Sequence, residues 1–203
     1  LVGTPGLTKD EFIDVTRILK RHLDSVHEDL DNLLMWAQTQ LKGFQAVPEP
    51  IDLKSLSDEK INLFKEAANA KQISIVNNIQ PGTLVVADRN HIGLALRNLI
   101  ANAVKFNRSG GKIDLSSRSS GQMEEISVTD SGVGISSDDV QKLFKSETHF
   151  SRLGTNQERG VGIGLLITKE YIENNSGSIW VTSELGKGTT FTFTLRADAA
   201  VEV

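Results

Sequence analysis

The sequence predicts an α/β (α+β) two-layer sandwich, a mixed, mostly antiparallel sheet with helices on one face, preceded by a long N-terminal helix. Residues 112–118 and 124–129 read as strands around Ser119-Ser120-Gly121, and residues 178–183 and 190–195 read as strands around Gly186-Lys187-Gly188. Strands joined by turns this short pair antiparallel, which argues against a doubly wound parallel sheet. Between them lie stretches of helical period, so helices must share the layer architecture. Ahead of both, Phe12, Val15, Leu19, Val26, Leu30, Leu33, Ala37 and Leu41 recur in a heptad-like pattern typical of a helix seam.

Taken in order, residues 1–7 read as a disordered lead-in. Thr8-Lys9-Asp10-Glu11 has the form of a capping box and opens a helix running through residues 8–46, which Gly43 and Pro48-Glu49-Pro50 end. A lone helix this long cannot bury its own seam, so homodimerisation through it is expected. Residues 51–53 predict a short strand, 57–70 a helix, and 73–77 and 83–87 strands divided by Pro81-Gly82. Residues 89–106 form a helix with Asp88 as its N-cap. One of its stripes, Ile92, Leu96, Leu99, Ala103 and Phe106, suits packing on a sheet. A second stripe holds His91, Ala95, Asn98, Asn102 and Lys105. Residues 137–144 predict a short helix, 145–159 a polar stretch without regular pattern, 164–175 a helix, and 197–203 a disordered tail.

Composition bounds the function. The chain has 203 residues, 38% hydrophobic and 24% charged, as in ordinary globular proteins. Its formal charge of −4 argues against a nucleic-acid partner. No apolar run is long enough to cross a membrane. The absence of cysteine excludes disulfide and thiolate chemistry and suits a cytoplasmic location. The four histidines lack the spacing of a zinc site.

Four stretches carry candidate chemistry. The amide oxygens of Asn98 and Asn102 suit a hard cation and Lys105 suits phosphate, although Asn is also common near helix ends, where its amide caps neighbouring loops. Asp130-Ser131-Gly132-Val133-Gly134-Ile135 follows a strand. Its carboxylate can accept from an exocyclic amine, and its glycines let backbone approach a flat ring, although the same pattern also occurs in ordinary turns. Arg159-Gly160-Val161-Gly162-Ile163-Gly164-Leu165 opens a helix whose free amides favour phosphate. It is neither a Walker loop nor a dinucleotide fingerprint. The polar residues before it have the character of a lid, whose Arg152 and Arg159 either supply charge to phosphates or are simply solvated. Gly186-Lys187-Gly188-Thr189 is at least a hairpin turn, with Thr189 as a further hydrogen-bonding group.

In this order and at these separations, the four stretches resemble the N, G1, G2 and G3 boxes of the sensor histidine kinase ATP-binding domain, and Leu143-Phe144 with Phe150 resembles its F box. Residues 151–155 and 178–181 reinforce the likeness, which covers residues 51–196. The resemblance implies the Bergerat ATP-binding fold, with ATP and Mg2+ as cofactors. It assigns Asn102 to magnesium, and Asn98, Lys105 and neighbouring Phe106 to the phosphate side. Asp130 reads adenine, with Gly132, Gly134 and Ile135 around the base and Thr189 nearby. Arg159, Gly160, Gly162, Gly164 and Leu165 shape the lid hinge and phosphate contact. In related gyrase-type and chaperone ATPases a glutamate at position 98 activates water. Asn98 cannot accept a proton at neutral pH, so transfer to another acceptor is favoured over hydrolysis.

The implied partners are a phosphoacceptor-histidine helix and a response regulator receiver domain, and the implied setting is the cytoplasmic part of a membrane-bound sensor. Residues 34–53 resemble the second helix of the dimerisation hairpin and its linker. His27-Glu28 is only superficially similar to the phosphoacceptor box, because Asp29-Leu30-Asp31-Asn32 does not continue it. His22 and His27 therefore read as ordinary helix residues. A binding module without transfer activity and a serine kinase of the same fold are the competing readings. The chain alone is accordingly expected not to label itself with γ-labelled ATP, and acid-labile phosphate on His27 would contradict this.

Overall fold

A computed structural model describes residues 46–144, 154–155 and 163–198, together with residues 8, 9, 11–13, 15, 16 and 19. The strands are β1 (Glu49–Asp52), β2 (Ser74–Asn77), β3 (Leu84–Ala87), β4 (Lys112–Ser120), β5 (Met123–Asp130), β6 (Ile179–Glu184) and β7 (Gly188–Ala197). The helices are α1 (Leu53–Leu63), α2 (Lys65–Ala70), α3 (Arg89–Lys105), α4 (Ser137–Val140) and α5 (Gly164–Asn174). All seven strands form one sheet in the order β1-β3-β7-β5-β4-β2, with β6 also on β7. Only β2 and β4 run parallel; the other pairs are antiparallel.

The β5 strand pairs with β7 from Met123↔Arg196 to Asp130↔Thr189 and so fills one edge of β7. The opposite edge is divided, with β6 on residues 188–193 and β3 on Arg196 and Ala197. The turn at Pro81-Gly82 therefore separates two strands that do not pair, because β2 lies at the far side of the sheet beside β4.

Alternation along the strands sorts the two faces. Ile113, Leu115, Ile126, Val128, Phe191, Phe193 and Leu195 are buried in the core together with Ile92, Leu96, Leu99 and Ala103 of α3. The opposite face is a ladder of hydroxyls, with Ser127 Oγ 3.0 Å from Thr192 Oγ1 and Thr129 Oγ1 3.1 Å from Thr190 Oγ1. Trp180 lies on this face and is 40% exposed, so the helices cover one side of the sheet.

Local boundaries differ from expectation where capping overrides pattern. Leu53 opens α1 instead of ending β1, because Asp52 Oδ1 accepts from Ser55 N at 2.7 Å and acts as the N-cap. The expected helix over 57–70 is broken at Phe64, whose N–H bonds Ile61 O and closes α1 before α2 begins. The expected helix over 137–144 stops at Val140 and continues as turns. At the N-terminus the capping box forms, with Thr8 N donating to Glu11 Oε2 at 2.8 Å and Glu11 N to Thr8 Oγ1 at 3.3 Å. Most of the expected helix over 8–46, with His22 and His27, lies outside the described residues, as do the lead-in and most of the tail.

Phe193 is fully buried where β5, β6 and β7 meet the core. Phe193→Ala is expected to cost about 3–5 kcal/mol of unfolding free energy, measurable by urea denaturation.

Candidate functional site

Helix α3 is held at both ends. At its start, Asp88 Oδ1 accepts from Asn90 N at 2.9 Å and His91 N at 3.1 Å. Burial raises the Asp88 pKa, but amides from Val47, His91 and Asn90 and the charge of His91 outweigh it and leave the carboxyl below its ordinary range. Among those amides is that of Val47, immediately before β1, which bonds Asp88 Oδ2 at 3.0 Å. At the other end Lys71 Nζ donates to Val104 O at 3.1 Å and Lys105 O at 3.0 Å. An anion at the N-terminus and a cation at the C-terminus both complement the helix dipole.

The polar stripe of α3 is split by its surroundings. Its first turns lie beneath α5, where His91 and Ala95 are buried and His91 stacks on Tyr171 at 4.5 Å between ring centroids. Burial lowers the His91 pKa, opposed by the charges of Asp88 and Glu170. Asn175 secures this contact, with Oδ1 accepting from Asp88 N at 2.6 Å and Nδ2 donating to Tyr171 O at 2.7 Å. Further along, Asn98, Asn102 and Lys105 are half-buried. Asn98 Nδ2 donates to Thr168 Oγ1 on α5 at 2.7 Å. Among the described residues the Asn102 carboxamide makes no hydrogen bond, and Lys105 Nζ stands 5.3 Å from the Phe106 ring centroid.

The Asp130 loop is joined to α3 and to the β6–β7 turn by backbone. Val133 N donates to Phe106 O at 3.1 Å, and Gly186 N donates to Val133 O at 2.7 Å. Gly134 has φ +69°, and a Cβ there would run into the Glu184 carbonyl oxygen, so no other residue fits without moving the turn. Ile135 N donates to Ser183 Oγ at 2.8 Å, and Ser183 Oγ lies 2.9 Å from Thr189 Oγ1. Asp130 sits on the last residue pair of β5 and β7, opposite Thr189. Its Oδ1 accepts from Gly132 N at 2.8 Å.

Residues 98, 102, 105, 106, 130, 132, 134, 135 and 189 are thus carried by elements that meet, with Gly164 and Leu165 at the start of α5. Arg159, Gly160 and Gly162 lie outside the described residues, as do Arg152 and Phe150. Gly164 has a packing reason of its own, since a Cβ there would stand 2.6 Å from Asn98 Oδ1. Sequence reasoning missed Lys71, Thr168 and Asn175. Lys71 Nζ also donates to Thr155 Oγ1 at 3.0 Å, while Thr155 N bonds Lys105 O at 3.1 Å and its Oγ1 bonds Asn107 O at 2.8 Å. A lysine at a helix end or a threonine within a helix carries no sequence signal of such contacts.

The side-chain oxygens of Asn98 and Asn102 are hard donors of the type that magnesium takes. No group of three or more His, Cys, Asp or Glu side chains among the described residues gathers around a common point. A site built on amide oxygens leaves room for waters and phosphates, which is how Mg2+ is commonly held.

Burial raises the Asp130 pKa to about 6 against the opposing amides of Gly132 and Thr189. Because folding raises this pKa, the carboxyl's contribution to stability is complete below its ordinary 3.8 and is lost as the pH rises through about 6. Asp130→Asn is expected to stabilise the nucleotide-free protein by roughly 2–3 kcal/mol at pH 7 and by about half that at pH 5. Urea denaturation at the two pH values checks both the sign and the trend.

Residues 87–199 match the family described as histidine kinase-, DNA gyrase B-, and HSP90-like ATPase. The sensor-like histidine kinase SenX3 of Mycolicibacterium smegmatis is 33% identical over 159 residues, covering 77% of this chain and 41% of that protein. The chain therefore spans about two fifths of that relative's length. Among solved structures, the catalytic domain of histidine kinase ThkA superposes with a TM-score of 0.64 at 28% identity, over 73% of this chain and 95% of that one. Full-length ShkA in complex with AMPPNP gives a TM-score of 0.76 at 26% identity, over 98% of this chain and 42% of that one. With the sheet order, the amide-bearing helix and the buried aspartate already in place, the chain belongs to the histidine kinase-, DNA gyrase B- and HSP90-like ATPase family, as an ATP-binding catalytic domain of the histidine kinase kind.

Proposed function

We propose that this chain binds Mg-ATP in the cleft between α3, the Asp130 loop and the start of α5, and delivers the γ-phosphoryl to a histidine on a partner helix. The observation that carries this is one continuous backbone connection, Phe106 O to Val133 N and Val133 O to Gly186 N. It links the amide helix, the buried carboxylate and the β6–β7 turn. In its ionised form Asp130 accepts from the adenine amine, while Gly132, Gly134, Ile135 and Thr189 shape the base pocket. Asn98, Asn102, Lys105 and Phe106 form the phosphate wall. Arg159, Gly160, Gly162, Gly164 and Leu165 complete it from the lid side.

Asn102, aided by Asn98, is the residue to hold Mg2+, which would neutralise phosphate charge. The chain's own contribution is to bind the base, align the phosphates and withhold a general base from water. Asn98 in place of a carboxylate supports transfer over hydrolysis, since an amide takes no proton at neutral pH.

The same reading supplies the partners. Phe12, Val15 and Leu19 are 62%, 50% and 57% exposed along the N-terminal helix, which supports a partner helix and a homodimer. A response regulator receiver domain is the onward acceptor. Among the described residues no helix is long and apolar enough to cross a membrane. A cytoplasmic position, as part of a sensor, is the setting that fits.

Two measurements test the proposal. Asn102→Ala is expected to abolish magnesium-dependent ATP binding by calorimetry, and unchanged affinity would remove the assignment. Mixing this chain with a separately produced phosphoacceptor-helix hairpin and labelled ATP is expected to yield acid-labile phosphate on the hairpin. Tight binding with no transfer would instead identify a nucleotide-binding module.

A further inference from the structure

Asn98 lies where α3 and α5 approach closely, and its contacts determine which way its amide points. Thr168 Oγ1 donates to Gly164 O, one turn back in α5, at 2.9 Å. A hydroxyl has a single proton, so with that bond made its oxygen can only accept from other groups. The partner at 2.7 Å must therefore be the Asn98 NH2 group and not its oxygen. Thr168 is 1% exposed, so its hydroxyl is shielded from bulk water. Gly164 admits the amide, because a Cβ there would stand 2.6 Å from Asn98 Oδ1 and 2.8 Å from Nδ2. Among the described residues Oδ1 accepts no hydrogen bond.

We propose that Thr168 is a positioning residue that locks the Asn98 carboxamide with its nitrogen on α5 and its oxygen unspent. This makes position 98 an acceptor in nucleotide binding. The inference rests on the proposed ATP site and deepens it. An oxygen at this position suits magnesium or its coordinated water, whereas an NH2 group would suit a bare phosphate oxygen. Thr168 thereby biases the site toward Mg-ATP over metal-free ATP. It also ties the amide helix to α5, so that a shift of α5 would alter the presentation of Asn98.

Thr168→Val keeps the shape and removes the acceptor. Its Kd for Mg-ATP is expected to rise about fivefold, the size of one neutral hydrogen bond, with the Kd for metal-free ATP unchanged. Thr168→Ser is expected to restore the wild-type ratio. Equal weakening for both nucleotide forms, or no change in either, would overturn the proposal.

If Thr168→Val fails to fold, wild-type protein with 15N-labelled asparagine decides the orientation by water-exchange NMR. The Asn98 side-chain amide protons are expected to exchange more slowly than those of exposed Asn62 and Asn69, and equal rates would overturn the proposal. Wild-type protein that takes up no nucleotide would remove the ATP reading, while the exchange comparison would still judge the lock itself.

Discussion

The clamping of helix α3 at both ends is the constraint on which the rest of the structure depends. Asp88 satisfies amides at its first turn, and Lys71 satisfies carbonyls at its last. Between these points one face is buried among Ile126, Val128 and Phe193 of the sheet, and the other is partly roofed by α5. With both ends and two faces fixed, the helix cannot slide along its axis without breaking charge-assisted bonds. The half-buried turn bearing Asn98, Asn102 and Lys105 is what this arrangement leaves partly open. Lys71 also reaches Thr155, so the same ammonium joins the helix terminus to a residue in the segment between the Asp130 loop and α5.

Asp130 shows a conflict between burial and charge. Its carboxyl is buried with two backbone amides for compensation, and burial wins, leaving a pKa near 6. Burial shifts this group toward its protonated form, yet with a pKa near 6 it is mostly ionised at neutral pH. The ionised carboxyl therefore leaves the domain less stable at neutral pH than its core alone would allow.

Much of the architecture was legible in the sequence because short-range chemistry wrote it there. The glycine turns at 121 and 186–188, the alternation in β5 and β7, and the Asp88 cap act over a few residues. Boundaries were less legible, since Asp52 captures Leu53 for a helix and Phe64 interrupts the run that follows. The placement of β2 beside β4, far from β3 in the sheet, could not be read from a Pro-Gly turn, because that turn is silent about which partner each strand finds.

At the site, the residue types and their order were determined by the sequence itself: two amides and a lysine on one helix stripe, an aspartate at a strand end, glycines ahead of a helix. These are local spacings, and the family is recognisable from them. The tertiary structure alone decided how those groups are spent. Asn98 and Asn102 are equivalent in sequence, one turn apart on the same stripe. Only Asn98 meets Thr168, because α5 crosses α3 at that turn and Gly164 leaves the space. Contacts between residues separated by 70 positions depend on how helices cross, and no local pattern encodes a crossing point.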